Sequence, residues 1–252
     1  MFISLAVIVL FFFIYMWFEA HRNKVTYTNL LFREFPKSFG EMSIFFISDI
    51  HRRSLSKKIV NEVKGKADIV IIGGDLTEKG VPFSRVAENI RRLKEIGPIY
   101  FVWGNNDYEV DFHELASFLT EEGVKILDNT AVTFESEKGE KIALLGVDDM
   151  SKNRDRLDLA LLGAGDEGFR ILVSHNPAIV GKIQENQRIS LVLSGHTHGG
   201  QIRFFSFGLY EKGGMRKING TTVVVSNGYG TTALPFRLGA PAETHLITLK
   251  SL

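Results

Sequence analysis

The sequence contains no cysteine among its 252 residues. Disulfides, thiolate nucleophiles and cysteine-based zinc sites are excluded, so any metal must be held by His, Asp, Glu or Asn. An excess of charge of one sign is also missing. Thirty Lys and Arg stand against 29 Asp and Glu, a formal net charge of +1, and so gross electrostatics draws the chain neither to nucleic acid nor to an anionic surface. There are no internal repeats and no low-complexity linker, and the length suits one large domain or two small ones.

Polar side chains are nearly absent from the first 18 residues, where only Ser4 and Tyr15 interrupt the apolar run. That length is close to the ~20 apolar residues that span a bilayer, so residues 1–18 are expected to form a transmembrane anchor. A cleaved signal peptide would need a basic start and a small-x-small exit, and the run has neither. A buried core helix would need no lipid, but nothing polar marks an outer face. Arg22, Lys24, Arg33 and Lys37 follow the run and no basic residue precedes it, which places the bulk of the chain on the cytoplasmic side of the cell membrane. Residues 19–24 then read as a short juxtamembrane linker, and residues 25–252 as the folded domain, opening on the strand "VTYTNLL".

Apolar runs of strand length recur as "SIFFIS", "DIVIIG", "PIYFVW", "KIALLGV", "RILVS", "SLVLS", "TVVVS" and "HLITL". Amphipathic stretches over 55–64, 83–96 and 111–122 separate the earlier ones and predict helices. Such alternation indicates an α/β fold, and the unbroken apolarity of the runs says that both faces of the strands are covered. Beyond about residue 190 the helical spacing disappears, which predicts hairpins joining a second sheet.

The residues just past each strand carry the chemistry. Asp49 and His51 stand after the first run, Asp75 after the second, Asn105 after the third, His175 after "RILVS", and His196 and His198 within "GHTHGG". Strand ends of α/β sheets are where side chains from distant positions converge. Each motif alone is an ordinary turn or helix cap. Five strand ends carrying only oxygen and imidazole ligands point to a shared metal site.

In this order the motifs "DxH", "GD", "GN", "H" and "GHxH" resemble those of the calcineurin-like binuclear metallophosphoesterases, over roughly residues 43–249. The later stretch "YEKGGMRKINGTTVVVSNGYGTTALPFRLGAPAETHLITL" resembles the bacterial membrane-associated branch of that family. The resemblance implies a four-layer sandwich of two stacked mixed β-sheets flanked by α-helices. It also implies two divalent ions at one end of that sandwich. Asp49, His51 and His198 would bind the first metal, Asn105, His175 and His196 the second, and Asp75 both. The donor types suit Mn, Fe or Zn. Hydrolysis of a phosphate ester needs a hydroxide at neutral pH, and metal binding lowers the pKa of water from 15.7 to about 7.

The resemblance implies hydrolysis of a phosphodiester or phosphoanhydride, acting on a phosphorylated small molecule or a lipid-like substrate. A noncatalytic metal-bound module and a nuclease are the competing readings, and near-neutral charge argues against nucleic acid. One position departs from the family: "GNND" puts Asn106 where a proton-donating His usually stands. An amide can hydrogen-bond a phosphoryl oxygen but cannot deliver a proton. Asp107 is expected to orient Asn106, and His113 is the rival proton donor. Arg52 is expected to hold a substrate phosphate, with Arg53 beside it as a second guanidinium or a surface charge. Phe204, Phe205, Phe207, Leu234 and Phe236 read either as core of the second sheet or as an apolar lip for a lipid-like substrate.

Overall fold

The computed structural model describes residues 2–252, with side-chain exposure from residue 5 onward. Twelve strands form two mixed sheets. In chain order they are β1 (Val25–Phe32), β2 (Glu41–Ile47), β3 (Ile69–Gly73), β4 (Ile99–Val102), β5 (Lys125–Ile126), β6 (Thr130–Glu135), β7 (Lys141–Gly146), β8 (Phe169–Val173), β9 (Ile189–Ser194), β10 (Gly214–Ile218), β11 (Thr221–Val225) and β12 (Thr244–Ser251). Five helices accompany them: α1 (Phe2–Ala20), α2 (Lys57–Val63), α3 (Phe83–Lys94), α4 (Phe112–Glu121) and α5 (Leu157–Ala164).

The first sheet runs β1-β12-β2-β3-β4-β5 and the second β10-β11-β9-β8-β7-β6. Alternation along β2 shows how continuous apolar strands fill two layers at once. Phe45 and Ile47 face α2, α3 and α4, whereas Ile44 and Phe46 point between the sheets to meet Leu144, Ile171 and Leu193. A third cluster packs Leu157, Ala160 and Ala164 of α5 on the outer face of the second sheet. Two stacked mixed sheets with helices outside them are the expected layers.

The sequence pattern passes over several elements. β5 has two residues, too few for any periodicity, while β6 is only half-buried and has polar residues at 130, 133 and 135 without a regular alternation. The expectation of hairpins joining the second sheet holds for β10 and β11, which turn at Asn219-Gly220 with both residues at positive φ. It fails for β12, which inserts between β1 and β2 in the first sheet, parallel to one and antiparallel to the other.

The N-terminal segment differs from its expected form in two ways. Residue 1 and the side chains of residues 2–4 lie outside the described residues, and among the described residues no helix is long and apolar enough to cross a membrane. Nor is 19–24 a free linker. Ala20 and Met16 are buried, and the domain supplies donors to the helix end, from Arg237 N to Met16 O (3.0 Å) and from Ala242 N to Glu19 O (3.1 Å).

Arg53 fastens this junction. Its guanidinium donates to the carbonyls of Ala20 (3.2 Å), His21 (3.2 Å), Arg22 (3.2 Å) and Tyr229 (2.5 Å) and to Asn23 Oδ1 (3.0 Å), and it lies over the Tyr229 ring. Arg53→Ala leaves these acceptors without donors and is expected to cost about 2–4 kcal/mol in denaturant unfolding. Arg91→Ala, which removes an exposed pair with Glu88, is the comparison and should cost less than about 0.5 kcal/mol.

Candidate metal centre

β2, β3 and β4 are parallel neighbours in one sheet, and β8 and β9 in the other. Their carboxyl ends deliver Asp49, His51, Asp75, Asn105, His175, His196 and His198 to one edge of the sandwich. The chain turns sharply as it leaves these strands. Asp49, His51, Asp75, His196 and His198 all take left-handed backbone conformations, with φ of 55, 50, 52, 70 and 50°. A non-glycine residue there costs on the order of 1–3 kcal/mol, and such strain gathers where geometry is imposed by function. Gly74 shows how tight the packing is, since a Cβ there would sit 2.6 Å from the His175 ring.

The ligand atoms meet in two groups. Asp49, His51 and His198 form one, and Asp49, Asp75 and His175 the other, each with its ligand atoms within 4.8 Å of one another. Asp49 therefore belongs to both groups, where the sequence reading gave the shared role to Asp75. Asp75 also reaches both sides, with Oδ2 3.7 Å from His51 Nε2 and 3.3 Å from His175 Nε2. His196 joins through Nδ1, 3.2 Å from His175 Nε2. Asn105 lines the same cleft as Asp75, His196 and His198.

Two imidazole pairs, His51 with His198 (3.1 Å) and His175 with His196 (3.2 Å), bring ring nitrogens to hydrogen-bond distance. Two lone pairs that close repel unless a proton or a cation stands between them. Without metal, the pairs divide alike. Burial opposes a charge on His175, yet Asp75, Asp49 and the Gly73 carbonyl outweigh it and raise its pKa to about 10. Burial and the charge of His175 hold His196 below the ordinary value. His51 is likewise raised, burial being outweighed by Glu78, Asp75 and Asp49, while burial, His51 and Arg237 push His198 well down. In each pair the two rings are thus pushed in opposite directions, one toward the charged form and one away from it, beside the buried carboxylates.

Asn105 supplies the clearest sign of fit to metal. Its Nδ2 donates to Asn106 Oδ1 (2.6 Å), and its Oδ1 is buried with no partner. A buried carbonyl oxygen without a donor is costly in an otherwise satisfied site, and a hard cation would satisfy it.

Other expectations change. Asp107 does not orient Asn106. Fully buried, it accepts from the backbone N–H groups of Asp75 (2.8 Å), Gly104 (2.9 Å) and Thr77 (3.0 Å), and so ties the β3 and β4 loops together. Burial and the neighbouring Asp75 raise its pKa to about 7. Asn106 is held by Glu109 instead, through Nδ2 to Oε1 at 3.1 Å. Arg52 is largely exposed and ion-paired to Glu78, outside the lining of the cleft, and Arg53 is spent on α1. His113 is exposed in the first turn of α4, also away from the lining. Phe204, Phe205, Phe207 and Leu234 are exposed rather than core.

Two supporting residues escaped the sequence reading. Glu78 lies buried with Oε2 2.9 Å from His51 Nδ1, which fixes the ring and leaves Nε2 toward the site. Arg237 is wholly buried. Its Nη2 hydrogens go to the carbonyls of Asn227 (2.7 Å) and Gly230 (2.6 Å), while Nη2 approaches His198 Nδ1 to 3.1 Å. The guanidinium thus acts on His198 through its charge and favours the neutral imidazole that a metal needs. Glu78 follows "GDLT" by one residue and had a positional cue; Arg237 had none.

Comparison with known proteins agrees with this arrangement. A family profile described as "Calcineurin-like phosphoesterase" matches residues 42–200. The chain is 49% identical over 210 residues to "Uncharacterized protein YpbG" of Bacillus subtilis, covering 82% of this chain and 81% of that one. It is 34% identical over 254 residues to a "Transmembrane protein with metallophosphoesterase domain" of Danio rerio, covering 92% of this chain and 58% of that protein. With an "Uncharacterized metallophosphoesterase" of Helicobacter pylori it shares 33% over 228 residues, 83% of this chain and 60% of the other. The chain therefore spans somewhat more than half the length of the latter two. With its strand-end ligands and its matching family profile, the chain belongs to the calcineurin-like phosphoesterases, metal-dependent hydrolases of phosphoester bonds.

Proposed function

We propose that the protein hydrolyses a phosphodiester or phosphoanhydride at a two-metal centre. The observation that carries this reading is the orphaned Asn105 Oδ1 beside two close imidazole pairs and two buried carboxylates. Asp49, His51 and His198 would hold one ion, Asn105, His175 and His196 the other, and Asp75, which reaches both histidine groups, would be shared. Mn, Fe or Zn suits these donors. Bound there, the ions would supply activated water and neutralise phosphoryl charge.

The chain's own residues set the rest. Hydrolysis forms a bond from water oxygen to phosphorus and breaks the bond to the leaving oxygen, which departs with the electron pair. Asn106 lines the cleft of about 400 Å³ beside Asp75 and Asn105. Its Oδ1 fixes the Asn105 amide so that the Asn105 oxygen stays free, and one Nδ2 hydrogen goes to Glu109. The other hydrogen is left to donate to a phosphoryl oxygen. No proton comes from this position, so the leaving group must depart largely unassisted.

α1 serves in this reading as a membrane anchor, with the catalytic bulk in the cytoplasm. The apolar run over residues 1–18, the exposure of its side chains from Leu5 to Phe18 apart from buried Met16, and the basic residues after it support that role. A reporter fused after Leu252 is expected to resist protease added to intact cells.

Asp75→Asn is expected to lose bound metal and activity together, while Glu121→Gln on the exposed end of α4 loses neither; metal analysis and aryl phosphodiester hydrolysis would show this. Full activity in the Asp75 variant would end the two-metal reading. Metal must also displace the protons held by the imidazole pairs. Because His175 stays protonated up to about pH 10, metal affinity should climb from pH 6 to pH 9. Chelator competition measures this, and a flat profile would contradict it.

The leaving-group test isolates Asn106. A plot of log kcat/KM against leaving-group pKa should be steep in the wild type. Asn106→His should raise turnover of alkyl esters more than of aryl esters, by up to roughly 10²- to 10⁴-fold. A shallow slope unchanged by the substitution would mean that another group already delivers the proton.

A further inference from the structure

We propose that the loop over residues 203–210, together with Leu234, inserts into the face of a membrane, so that the metal cleft opens onto the bilayer and takes a phosphoester carried on a lipid. The inference rests on the phosphoesterase reading above and names its substrate class.

Exposure first marks the loop. Phe205 is 100% exposed, Leu209 91%, Phe207 80%, Phe204 61% and Leu234 57%. Apart from α1, the described residues show no other stretch with so many large apolar side chains in water. Covering one such side chain is worth about 1.5–3 kcal/mol, so a surface that presents five together is built for an apolar partner.

The loop is also held in this form. Buried Arg203 donates to the carbonyls of Gly199 (3.0 Å), Ser206 (2.6 Å) and Tyr210, and Phe204 and Phe207 exchange two backbone hydrogen bonds of 3.0 Å around the tip. A buried guanidinium shapes the backbone while the phenyl rings are left outward.

Position identifies the partner. Leu209, Tyr210 and Leu234 form one wall of the cleft whose other walls are Asp75, Asn105, His196 and His198. The lip therefore borders the metal ligands directly. Two residues beyond Leu234, the Phe236 ring meets Phe13 of α1 with centroids 5.5 Å apart, so the lip is continuous with the exposed apolar face of the proposed anchor. A surface shared by an anchor helix and an active-site wall fits a lipid bilayer, with acyl chains against the lip and the phosphate reaching the ligands. The apolar side of the cleft and the unassisted leaving group at Asn106 together suit a lipid-linked phosphoanhydride, whose phosphate leaving group needs no proton.

The absence of cysteine makes the test clean, because Phe205→Cys carries the only thiol. The full chain, spin-labelled there, is reconstituted in phosphatidylcholine and phosphatidylglycerol vesicles, and accessibility to oxygen is compared with that to a water-soluble chromium chelate. A label at Lys138→Cys, on the exposed turn between β6 and β7, gives the aqueous reference. The label at 205 should favour oxygen, and that at 138 the chelate. Equal accessibility at both sites overturns the proposal. So does dipolar broadening at 205 that vanishes on dilution with unlabelled protein, which would make a second copy the occupant.

Substrate delivery is read with two esters that share a leaving group, hexadecyl p-nitrophenyl phosphate in the vesicles and methyl p-nitrophenyl phosphate in solution. The wild type should prefer the hexadecyl ester by at least tenfold in kcat/KM. Phe205→Ser with Phe207→Ser should lose that preference while its rate on the methyl ester stays within twofold. Equal rates on the two esters in the wild type would overturn lipid delivery, as would equal losses on both in the variant. Hydrolysis of neither ester by metal-loaded wild type would instead reject the phosphodiesterase reading, and the label would then decide membrane insertion by itself.

Discussion

Two carboxylates, Asp49 and Asp75, are buried where water cannot solvate them, and the rest of the site answers to their charge. Buried anions persist only with nearby positive charge or hydrogen-bond donors. The imidazoles answer the first need, one ring of each pair being favoured in its charged form, and backbone N–H groups answer the second. His196 N donates to both oxygens of Asp49 (3.1 and 3.2 Å), and Asn106 N to Asp75 Oδ1 (2.8 Å). A divalent ion can replace each proton with more charge and more directions of contact. The same balance explains the strained backbone, because the left-handed turns at five ligand positions bring side chains and N–H groups to one place.

Around this centre the support is layered. Glu78 stands against His51, the Gly73 carbonyl sets His175 (2.8 Å), burial, His51 and the Arg237 charge together disfavour protonation of His198, and Asp107 binds three backbone donors from two loops. None of these groups meets the cleft as a ligand. Each fixes a tautomer, an orientation or a loop, which is how a metal site selects one geometry from many. Arg237 adds a mechanical link, since its own backbone N–H is bonded to Met16 of α1. The residue that biases a ligand is thus attached to the helix proposed to lie in the membrane.

The site was more legible than the surroundings. Ligand positions come directly after apolar runs, and both features are local, so Asp49, His51, Asp75, Asn105, His175, His196 and His198 could be marked without knowing how strands pair. Sheet membership is not local. "HLITL" looks like its neighbours, and only pairing with β1 and β2 places it in the first sheet. Arg52 and Arg53 illustrate the same limit: adjacent and chemically alike, one points to solvent beside Glu78 and the other into the α1 junction. Asp107 kept the position of an orienting residue, but its oxygens were already claimed by N–H groups, a fact about loop folding that spacing does not contain. The phenylalanines of the 203–210 loop read first as core and only second as lip, because apolarity alone cannot distinguish inside from outside, and the structure leaves them exposed.

The placement of β12 has a consequence for synthesis. Among the described residues β1 pairs in the sheet with β12 alone, and β12 also provides one edge of β2's pairing. The strand after α1 therefore waits for nearly the whole chain to emerge from the ribosome before it can dock, and the Arg237 segment just ahead of β12 waits with it. Contacts this distant in sequence make for slow closure. If α1 engages a bilayer early, the domain must complete its first sheet beside the membrane, and the histidine that Arg237 biases acquires its setting only in that last step.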